Sequence, residues 1–199
     1  MKRTVAILVF DEVEVLDFAG PFEVFAVTDE LGDYQLFRVL TVAPEKRPIR
    51  ARNGLGVVPD HGITDCPPPD LLIVPGGFGT RALLKDQRVL DWIRSCNATA
   101  EIVASVCTGA VVLGRAGLLD GLQATTHHEC FGLLRENAPR ATVIETDRFV
   151  DNGRILTAAG ISAGIDMSLH LVKRLHGAVI AQKTARYMEY HPAGQIFPT

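Results

Sequence analysis

The chain has 199 residues, about the length of one domain. Hydrophobic residues make up 47% of it and charged residues 22%, so the composition excludes a disordered or collagen-like chain. The net charge of -3 and the isoelectric point near 6.1 do not favour nucleic acid or an anionic membrane as a partner. We therefore predict a single domain over residues 1–199 that binds neither nucleic acid nor membrane.

The amino terminus has some features of a signal peptide, but it is predicted to be a strand. Lys2 and Arg3 precede the apolar run Val5–Phe10, which is short. Asp11 and Glu12 follow it, where a signal peptide would have a small-residue cleavage site. No stretch of the sequence is apolar for long enough to span a membrane. We expect a cytoplasmic protein.

Several short apolar runs are rich in Val and Ile, which is typical of buried strands in a parallel sheet. Each run ends in polar or glycine-rich residues, and helical patterns separate the runs. This alternation predicts an α/β three-layer fold with a mostly parallel central sheet and helices on both faces. The predicted strands are Thr4–Phe10, Gln35–Val42, Leu71–Pro75 and Glu101–Val106.

Proline, capping and glycine residues predict where helices begin and end. Pro21 suits the first position of a helix that continues to about Glu30, because an N–H has no helical partner there. Asp86 is placed to cap the next helix. The region Ile161–Tyr190 has the pattern of one or two helices broken near Gly177.

Two regions depart from simple alternation. Asn152 and Gly153 lie between apolar runs within Thr142–Ala158, which predicts a β-hairpin with a two-residue turn. Glycines and valines near Arg52–Val58 indicate a short strand pair. The tail Pro192–Thr199 is predicted to be a loose end.

The four cysteines are predicted to have different roles. None has the Cys-x-x-Cys spacing of a zinc or thioredoxin-type motif, and the six histidines are scattered, so we expect no metal site. A reducing cytoplasm argues against disulfides. A structural role is expected for Cys66, Cys96 and Cys130.

Cys107 has the setting of a nucleophile. It directly follows the strand Glu101–Val106, and Thr108 and Gly109 then open an apolar helical run. At such a strand-to-helix turn the side chain lies at the carboxyl edge of the sheet. We expect the helix N-terminus to lower the pKa of the thiol and favour the reactive thiolate. The alternative is a buried core cysteine.

Gly76, Gly77 and Asp17 are further candidates. Gly76 and Gly77 follow the strand Leu71–Pro75, and consecutive glycines can turn their amides toward an anion, although a plain turn is the alternative. Asp17 lies among apolar residues, so the pKa of its carboxyl is expected to be raised into a range that suits a proton donor. The alternative for Asp17 is a helix N-cap.

His127 is a candidate auxiliary residue, since a Cys-His pair commonly activates a thiol. His128 follows it directly, and the alternative is that two adjacent histidines at a helix start point in different directions. At least one of them is then solvated. The sequence leaves the role of His127 open.

Four segments together resemble the ThiJ/PfpI superfamily, which has the class I glutamine amidotransferase-like, flavodoxin-like fold. They are VAILVFDEVEVLDFAGPFEVF, LLIVPGGFG, ASVCTGAVVLGRAGLLDGLQATTHHE and ILTAAGISAGIDMSLHLV, which span Val5 to about Val172. Within the superfamily, the pattern looks closest to the isocyanide hydratase branch. Those enzymes add water to R–N≡C and form an N-substituted formamide with no cofactor or metal.

This resemblance implies roles for particular residues. Cys107 matches the nucleophile, and Thr108 matches the threonine after it, which could bond the intermediate or water. Asp17, in its LD-x-x-GP context, matches the catalytic aspartate, where many superfamily members carry glutamate. The implied reaction passes through a thioimidate on the cysteine, with the Gly77 amide nearby. The resemblance also implies a small-molecule isocyanide substrate and a homodimer.

Other readings stay open. Members assigned as proteases typically have Cys-His-Gly at the turn, and Cys107-Thr108-Gly109 departs from that pattern. Many such domains form the ligand-sensing half of AraC-type regulators, which continue into a helix-turn-helix domain; with the chain ending at Thr199, no such domain is expected here. A non-catalytic ligand sensor remains one alternative. A glyoxalase or other cysteine hydrolase is another.

Overall fold

A computed structural model describes residues 2–192 of the protein. Their central sheet has the strand order β10-β11-β7-β6-β1-β2-β5, and all neighbouring strands are parallel except the antiparallel pair β10 and β11. The pairs β3–β4 and β8–β9 form two small separate sheets. The strands are β1 (Arg3–Leu8), β2 (Phe37–Ala43), β3 (Ile49–Arg50), β4 (Gly56–Val57), β5 (His61–Gly62), β6 (Leu71–Val74), β7 (Ile102–Val106), β8 (Gln123–Ala124), β9 (Thr142–Val143), β10 (Phe149–Asp151) and β11 (Ile155–Ala158).

Helices cover both sides of this sheet, as predicted. In one group α1, α6 and α7 contact one another, and in the other α4 contacts α2, α3 and α5. No helix within residues 2–192 is both long and apolar enough to cross a membrane. The helices are α1 (Val15–Leu31), α2 (Thr80–Leu83), α3 (Gln87–Thr99), α4 (Gly109–Arg115), α5 (Phe131–Asn137), α6 (Ala163–His176) and α7 (Ala178–Tyr187).

The core lies on both faces of the inner strands. Strands β6, β7 and β11 are buried along their whole length. A parallel sheet covered by helices on both faces needs apolar residues at successive positions, which explains the continuous Val and Ile runs of the sequence. The predicted α/β class is therefore confirmed.

Most predicted boundaries hold. Asp86 caps α3 by accepting a hydrogen bond from the Arg88 amide at 3.0 Å. The predicted hairpin of β10 and β11 forms, but its turn is one residue later than predicted: the Asn152 N–H donates to the Ile155 carbonyl at 3.0 Å, so the two turn residues are Gly153 and Arg154. Gly177 separates α6 from α7 and has a φ of 92°, a conformation that glycine adopts readily. The predicted loose tail, apart from Pro192, lies outside the described residues.

Two predicted boundaries are wrong. Helix α1 begins at Val15, not at Pro21, which lies inside the helix and removes only the hydrogen bond to one preceding carbonyl. The predicted pair near Arg52–Val58 is formed by β3 and β4, and a 3₁₀ turn at Arg52–Gly54 joins them. In both cases the element begins before the residues from which it was predicted, α1 at Val15 and β3 at Ile49. The start of α1 also places Asp17 within its first turn, which excludes the N-cap role.

Candidate active site

Cys107 lies on the predicted turn between β7 and α4. Its φ is 55°, in the left-handed region, which costs a non-glycine residue roughly 1–2 kcal/mol. The Cys107 amide donates to the carbonyls of Ala158 and Ala159 at 3.1 and 3.0 Å, and its carbonyl accepts from the Thr126 hydroxyl at 2.7 Å. These contacts with the neighbouring strand and with the segment after β8 hold the turn in its strained conformation.

Close backbone approach at this turn requires glycine at two positions. A Cβ on Gly109 would lie 1.9 Å from the Val74 carbonyl oxygen, so α4 can begin this close to β6 only without a side chain there. A Cβ on Gly76 would lie 2.5 Å from the Thr108 amide nitrogen and 2.9 Å from Oδ2 of Asp17. Gly76 thus lets the first helix, the end of β6 and the Cys107 turn meet.

Asp17 reaches this meeting point from the first turn of α1. Its side chain is fully buried, and its Oδ2 accepts a hydrogen bond from the Gly76 amide at 2.9 Å. Oδ1 has no hydrogen-bond partner that satisfies normal geometry within residues 2–192. Burial raises the pKa of Asp17 to about 7, although the Gly76 hydrogen bond acts in the opposite direction. The raised pKa predicted for this carboxyl is confirmed.

The thiol of Cys107 does not have the lowered pKa that the sequence predicts. Burial, followed by the negative charge of Asp17, raises its pKa to about 12, while the amides of Thr108 and Ile161 oppose the rise. The helix that was expected to stabilise a thiolate, α4, has only seven residues, and the sulfur is buried beside the carboxyl of Asp17. Near neutral pH the site therefore holds a thiol beside a partly ionised carboxyl.

The two amides predicted to bind an anion both have acceptors within the protein. The Gly76 amide donates to Asp17, and the Gly77 amide donates to Oγ1 of Thr108 at 3.0 Å. Thr108 is buried, and its hydroxyl also approaches Thr80 Oγ1 at 3.3 Å. Neither amide is a free donor in this arrangement, and the role of Gly76 and Gly77 in binding an anion stays a prediction. Gly76 and Gly77 orient the side chains of Asp17 and Thr108.

A second strand-to-helix turn lies next to the first. Ile161, between β11 and α6, has a φ of 52°, and its amide is one of the two that lower the pKa of Cys107. Ile161 was not among the site residues predicted from the sequence. The signal was present, because Gly160 and Ile161 follow a buried strand and precede a helix, as Cys107 does.

His127 is half-buried at the edge of the site. Its Nδ1 accepts a hydrogen bond from the Glu129 amide at 3.3 Å, and its ring stacks on His128 with centroids 4.3 Å apart. A neutral imidazole with Nδ1 as acceptor carries its proton on Nε2. In this tautomer His127 offers a donor to the site, and it has no direct hydrogen bond to Cys107 among the described contacts.

These residues surround a pocket of about 290 Å³. Cys107, Thr108 and Gly77 line it together with His127, and Cys130 also contributes to the wall. The purely structural role expected for Cys130 therefore does not describe its position. Within residues 2–192 no group of His, Cys, Asp and Glu side chains has an arrangement that could hold a metal ion.

The fold and the site together define a class of protein in which a cysteine on a strand-to-helix turn faces a buried carboxyl from the first helix. The family model described as DJ-1/PfpI matches residues 3–174, and the chain belongs to the DJ-1/PfpI family. The resemblance stated from the four sequence segments is confirmed.

Two relatives of known name and one solved structure are similar to this chain over nearly its whole length. The chain is 39% identical to an isonitrile hydratase from Pseudomonas putida, over 97% of this chain and 81% of that protein. It is 29% identical to the HTH-type transcriptional regulator GbdR from Pseudomonas aeruginosa, over 94% of this chain but only 51% of the regulator. A crystal structure of a ThiJ/PfpI family protein from Pseudomonas syringae matches with a TM-score of 0.87 and 30% identity, over 98% of this chain and 78% of that one.

Proposed function

We propose that the protein is an isocyanide hydratase that converts R–N≡C to an N-substituted formamide with Cys107 as nucleophile and Asp17 as proton carrier. The observation that carries the proposal is the buried Asp17 carboxyl beside the thiol, with a pKa raised to about 7. A group with this pKa can both accept and donate a proton near neutral pH. The similarity to the isonitrile hydratase over most of both chains supports the same reaction.

The first step adds the thiol across the terminal isocyanide carbon. The reactive form of the site has the proton on the thiol of Cys107 and an ionised Asp17. The Asp17 carboxylate takes this proton as the sulfur attacks the isocyanide carbon. Asp17 then delivers the same proton to the carbon. The product is the thioimidate R–N=CH–S–Cys107, which contains all atoms of the substrate and the thiol.

The second step consumes one water molecule. Water adds to the thioimidate carbon while Asp17 takes one water proton and passes it to the nitrogen, which gives R–NH–CH(OH)–S–Cys107. The C–S bond then breaks, the hydroxyl proton goes to the sulfur, and the formamide R–NH–CHO leaves. The reaction needs no redox partner and, in this scheme, no cofactor or metal ion.

The occupied amides favour this substrate over a carbonyl compound. Attack on a carbonyl creates an oxyanion at once, and enzymes of that type provide free amide donors for it. Attack on an isocyanide carbon creates no oxyanion until water has added. Because the amides of Gly76 and Gly77 already donate to Asp17 and Thr108, the resting site suits the isocyanide better.

A ligand-sensing domain is the second candidate function. The similarity to the regulator GbdR over 94% of this chain favours it. The match covers 51% of the regulator, so this chain resembles about half of that protein. In this role the pocket beside Cys107 would bind a small molecule without converting it. The same residues would then contribute contacts rather than chemistry.

One assay separates the candidates. Purified protein is incubated with a simple aliphatic isocyanide, with formamide followed by absorbance, and with methylglyoxal in parallel. We expect hydration of the isocyanide by the wild type and none above background by Cys107→Ala. Turnover of methylglyoxal alone would indicate carbonyl chemistry. If neither compound reacts and a small molecule raises the melting temperature, the sensor function is favoured.

A further inference from the structure

Two arginines and one aromatic ring form the mouth of the pocket above Cys107. The guanidinium carbons of Arg52 and Arg81 lie 4.0 and 5.0 Å from the centroid of the Phe78 ring. Phe78 is 52% exposed, unusual for so large an apolar side chain. Cation–π contacts of this kind hold flexible arginine side chains near one position before a ligand arrives. We call Arg52, Phe78 and Arg81 the arginine mouth.

The two guanidinium groups differ in how their charge is compensated. Arg52 lies 3.6 Å from the carboxylate of Glu14. Arg81 forms no ion pair with any acidic side chain of residues 2–192, although Glu129 also lines the pocket. Arg81 therefore retains a charge that an anionic group of a ligand can match.

The charge of Arg81 acts on the interior of the pocket. Burial raises the pKa of the Cys130 thiol and the negative charge of Glu129 adds to the rise, while the charge of Arg81 opposes it. Arg81 and Cys130 both line the pocket. His127 lines the same pocket and, with Nδ1 accepting from a backbone amide, carries its proton on Nε2. A guanidinium in the lining of a pocket can bind a carboxylate through charge-assisted hydrogen bonds.

The geometry points to a substrate class: we propose that the arginine mouth selects isocyanides whose R group carries a carboxylate, with Arg81 as the residue that binds it. This inference rests on the proposed hydratase function. An isocyanide group is linear, so a carbon placed at Cys107 directs the substituent outward to the mouth. There a planar guanidinium can receive a carboxylate through two parallel hydrogen bonds, which lysine cannot reproduce.

The test compares two substrates that differ in charge at one end. A short isocyano carboxylate and its methyl ester are assayed for kcat/KM with the wild type, Arg81→Gln and Arg81→Lys. We expect the wild type to favour the acid by about tenfold, near the lower end of what a hydrogen bond to a charged group contributes. Arg81→Gln should remove most of that preference, chiefly through a higher KM for the acid. Arg81→Lys should keep part of it.

Arg115→Gln provides the matched control. Arg115 is an exposed arginine at the end of α4 that does not line the pocket, and its substitution changes the net charge by the same amount. We expect this variant to keep the acid-to-ester ratio of the wild type. The proposal is overturned if the wild type uses the ester as well as the acid, or if Arg81→Gln and Arg115→Gln change the ratio equally.

A binding measurement distinguishes failure of this inference from failure of the hydratase proposal. Calorimetry compares the matched formamide products, one with a free carboxylate and one as its methyl ester. If no isocyanide is hydrated but the acid binds about tenfold more tightly than the ester, and Arg81→Gln removes the difference, only the hydratase proposal fails. Equal binding of both formamides to the wild type would overturn the arginine mouth.

Discussion

Asp17 differs from other aspartates of the chain in the direction of its pKa shift. Hydrogen bonds from arginine residues hold the pKa of Asp11, Asp86 and Asp120 below its usual range, as expected for paired surface carboxylates. Burial instead raises the pKa of Asp17 to about 7. A carboxyl buried at such a cost beside a thiol is typical of a site for proton transfer.

Lengthening this carboxyl is a sharp test of the site. Asp17→Glu keeps the acid but moves it toward the sulfur, into space that the substrate carbon needs. We expect kcat/KM to fall at least about tenfold, or roughly 1.4 kcal/mol of transition-state stabilisation. His127→Ala should cost much less, because Nδ1 of His127 is occupied by a backbone amide.

Kinetics of the two variants with one aliphatic isocyanide check this prediction. An inactive His127→Ala beside a fully active Asp17→Glu would contradict the assigned roles. That result would indicate Cys-His chemistry on a carbonyl substrate.

The buried carboxyl should also lower stability as the pH rises. In the unfolded chain Asp17 ionises near its ordinary pKa of 3.8, and in the folded protein near 7. The folded state therefore holds an extra proton between these values, and the stabilisation present at low pH is lost as the pH rises to about 7. Asn at this position does not titrate, and its side-chain oxygen can still accept from the Gly76 amide.

We expect the stability advantage of Asp17→Asn over the wild type to grow by about 2–3 kcal/mol between pH 5 and pH 8, at roughly 1.4 kcal/mol per unit of pH below the folded pKa. Urea denaturation of both proteins at the two pH values measures it. Other groups titrate equally in both proteins and cancel. An advantage that stays constant with pH would show that Asp17 ionises normally in the folded state.

The two strand-to-helix turns act as one unit. Strands β7 and β11 are parallel neighbours, and Val106 lies opposite Ala158. Both strands thus end at the same level of the sheet, which brings the Ile161 amide to the Cys107 sulfur. Cys107 and Ile161 both adopt positive φ, so strain is concentrated where the sheet meets the pocket.

Strain at the first turn predicts an unusual order of stability. At most positions glycine is less stable than alanine, because it loses more backbone entropy on folding. At a φ of 55°, alanine pays roughly 1–2 kcal/mol for the left-handed conformation and glycine does not. We expect Cys107→Gly to be more stable than Cys107→Ala by about 0.5–1 kcal/mol in urea denaturation. Greater stability of the alanine variant would indicate a relaxed turn.

Association of two copies is proposed for the molecule as a whole. Leu16 and Phe22 on α1 are 38% and 36% exposed, and they lie on the same helix as Asp17, the proposed proton carrier. Exposed apolar residues on a helix next to a site are consistent with a partner surface. We expect a homodimer with the site near its interface, and light scattering at micromolar concentration measures it. A particle of 21.6 kDa, the mass of one chain, would contradict this expectation.

Local patterns predicted much of the fold because their physical causes are local. The inner strands, the Asp86 cap, the break at Gly177 and the turn at Cys107 each depend on residues adjacent in sequence. The predicted start of α1 was wrong because Pro21 is tolerated inside the helix. Such tolerance depends on the surrounding structure and not on neighbouring residues in the sequence.

The site was harder to predict than the fold, since its contacts join distant segments. The sequence predicted roles for Cys107 and Asp17 in the site. It did not predict that the amides of Gly76 and Gly77 donate hydrogen bonds to Asp17 and Thr108. The raised pKa of the Cys107 thiol likewise depends on burial and on a carboxyl from another element. The contribution of Ile161 requires the register of β7 with β11, which only the folded chain defines.

The pH dependence of kcat/KM for an aliphatic isocyanide tests the Asp17–Cys107 pair most directly. We expect kcat/KM of the wild type to rise about tenfold per pH unit up to about pH 7 and then to reach a plateau. The reason is that the active form holds one proton on the pair of Asp17 and Cys107, whereas at lower pH both groups are protonated. Asp17→Asn should be at least about a hundredfold slower and show no transition near pH 7. A wild-type profile that is flat between pH 5 and pH 8, or a fully active Asp17→Asn, would contradict the account.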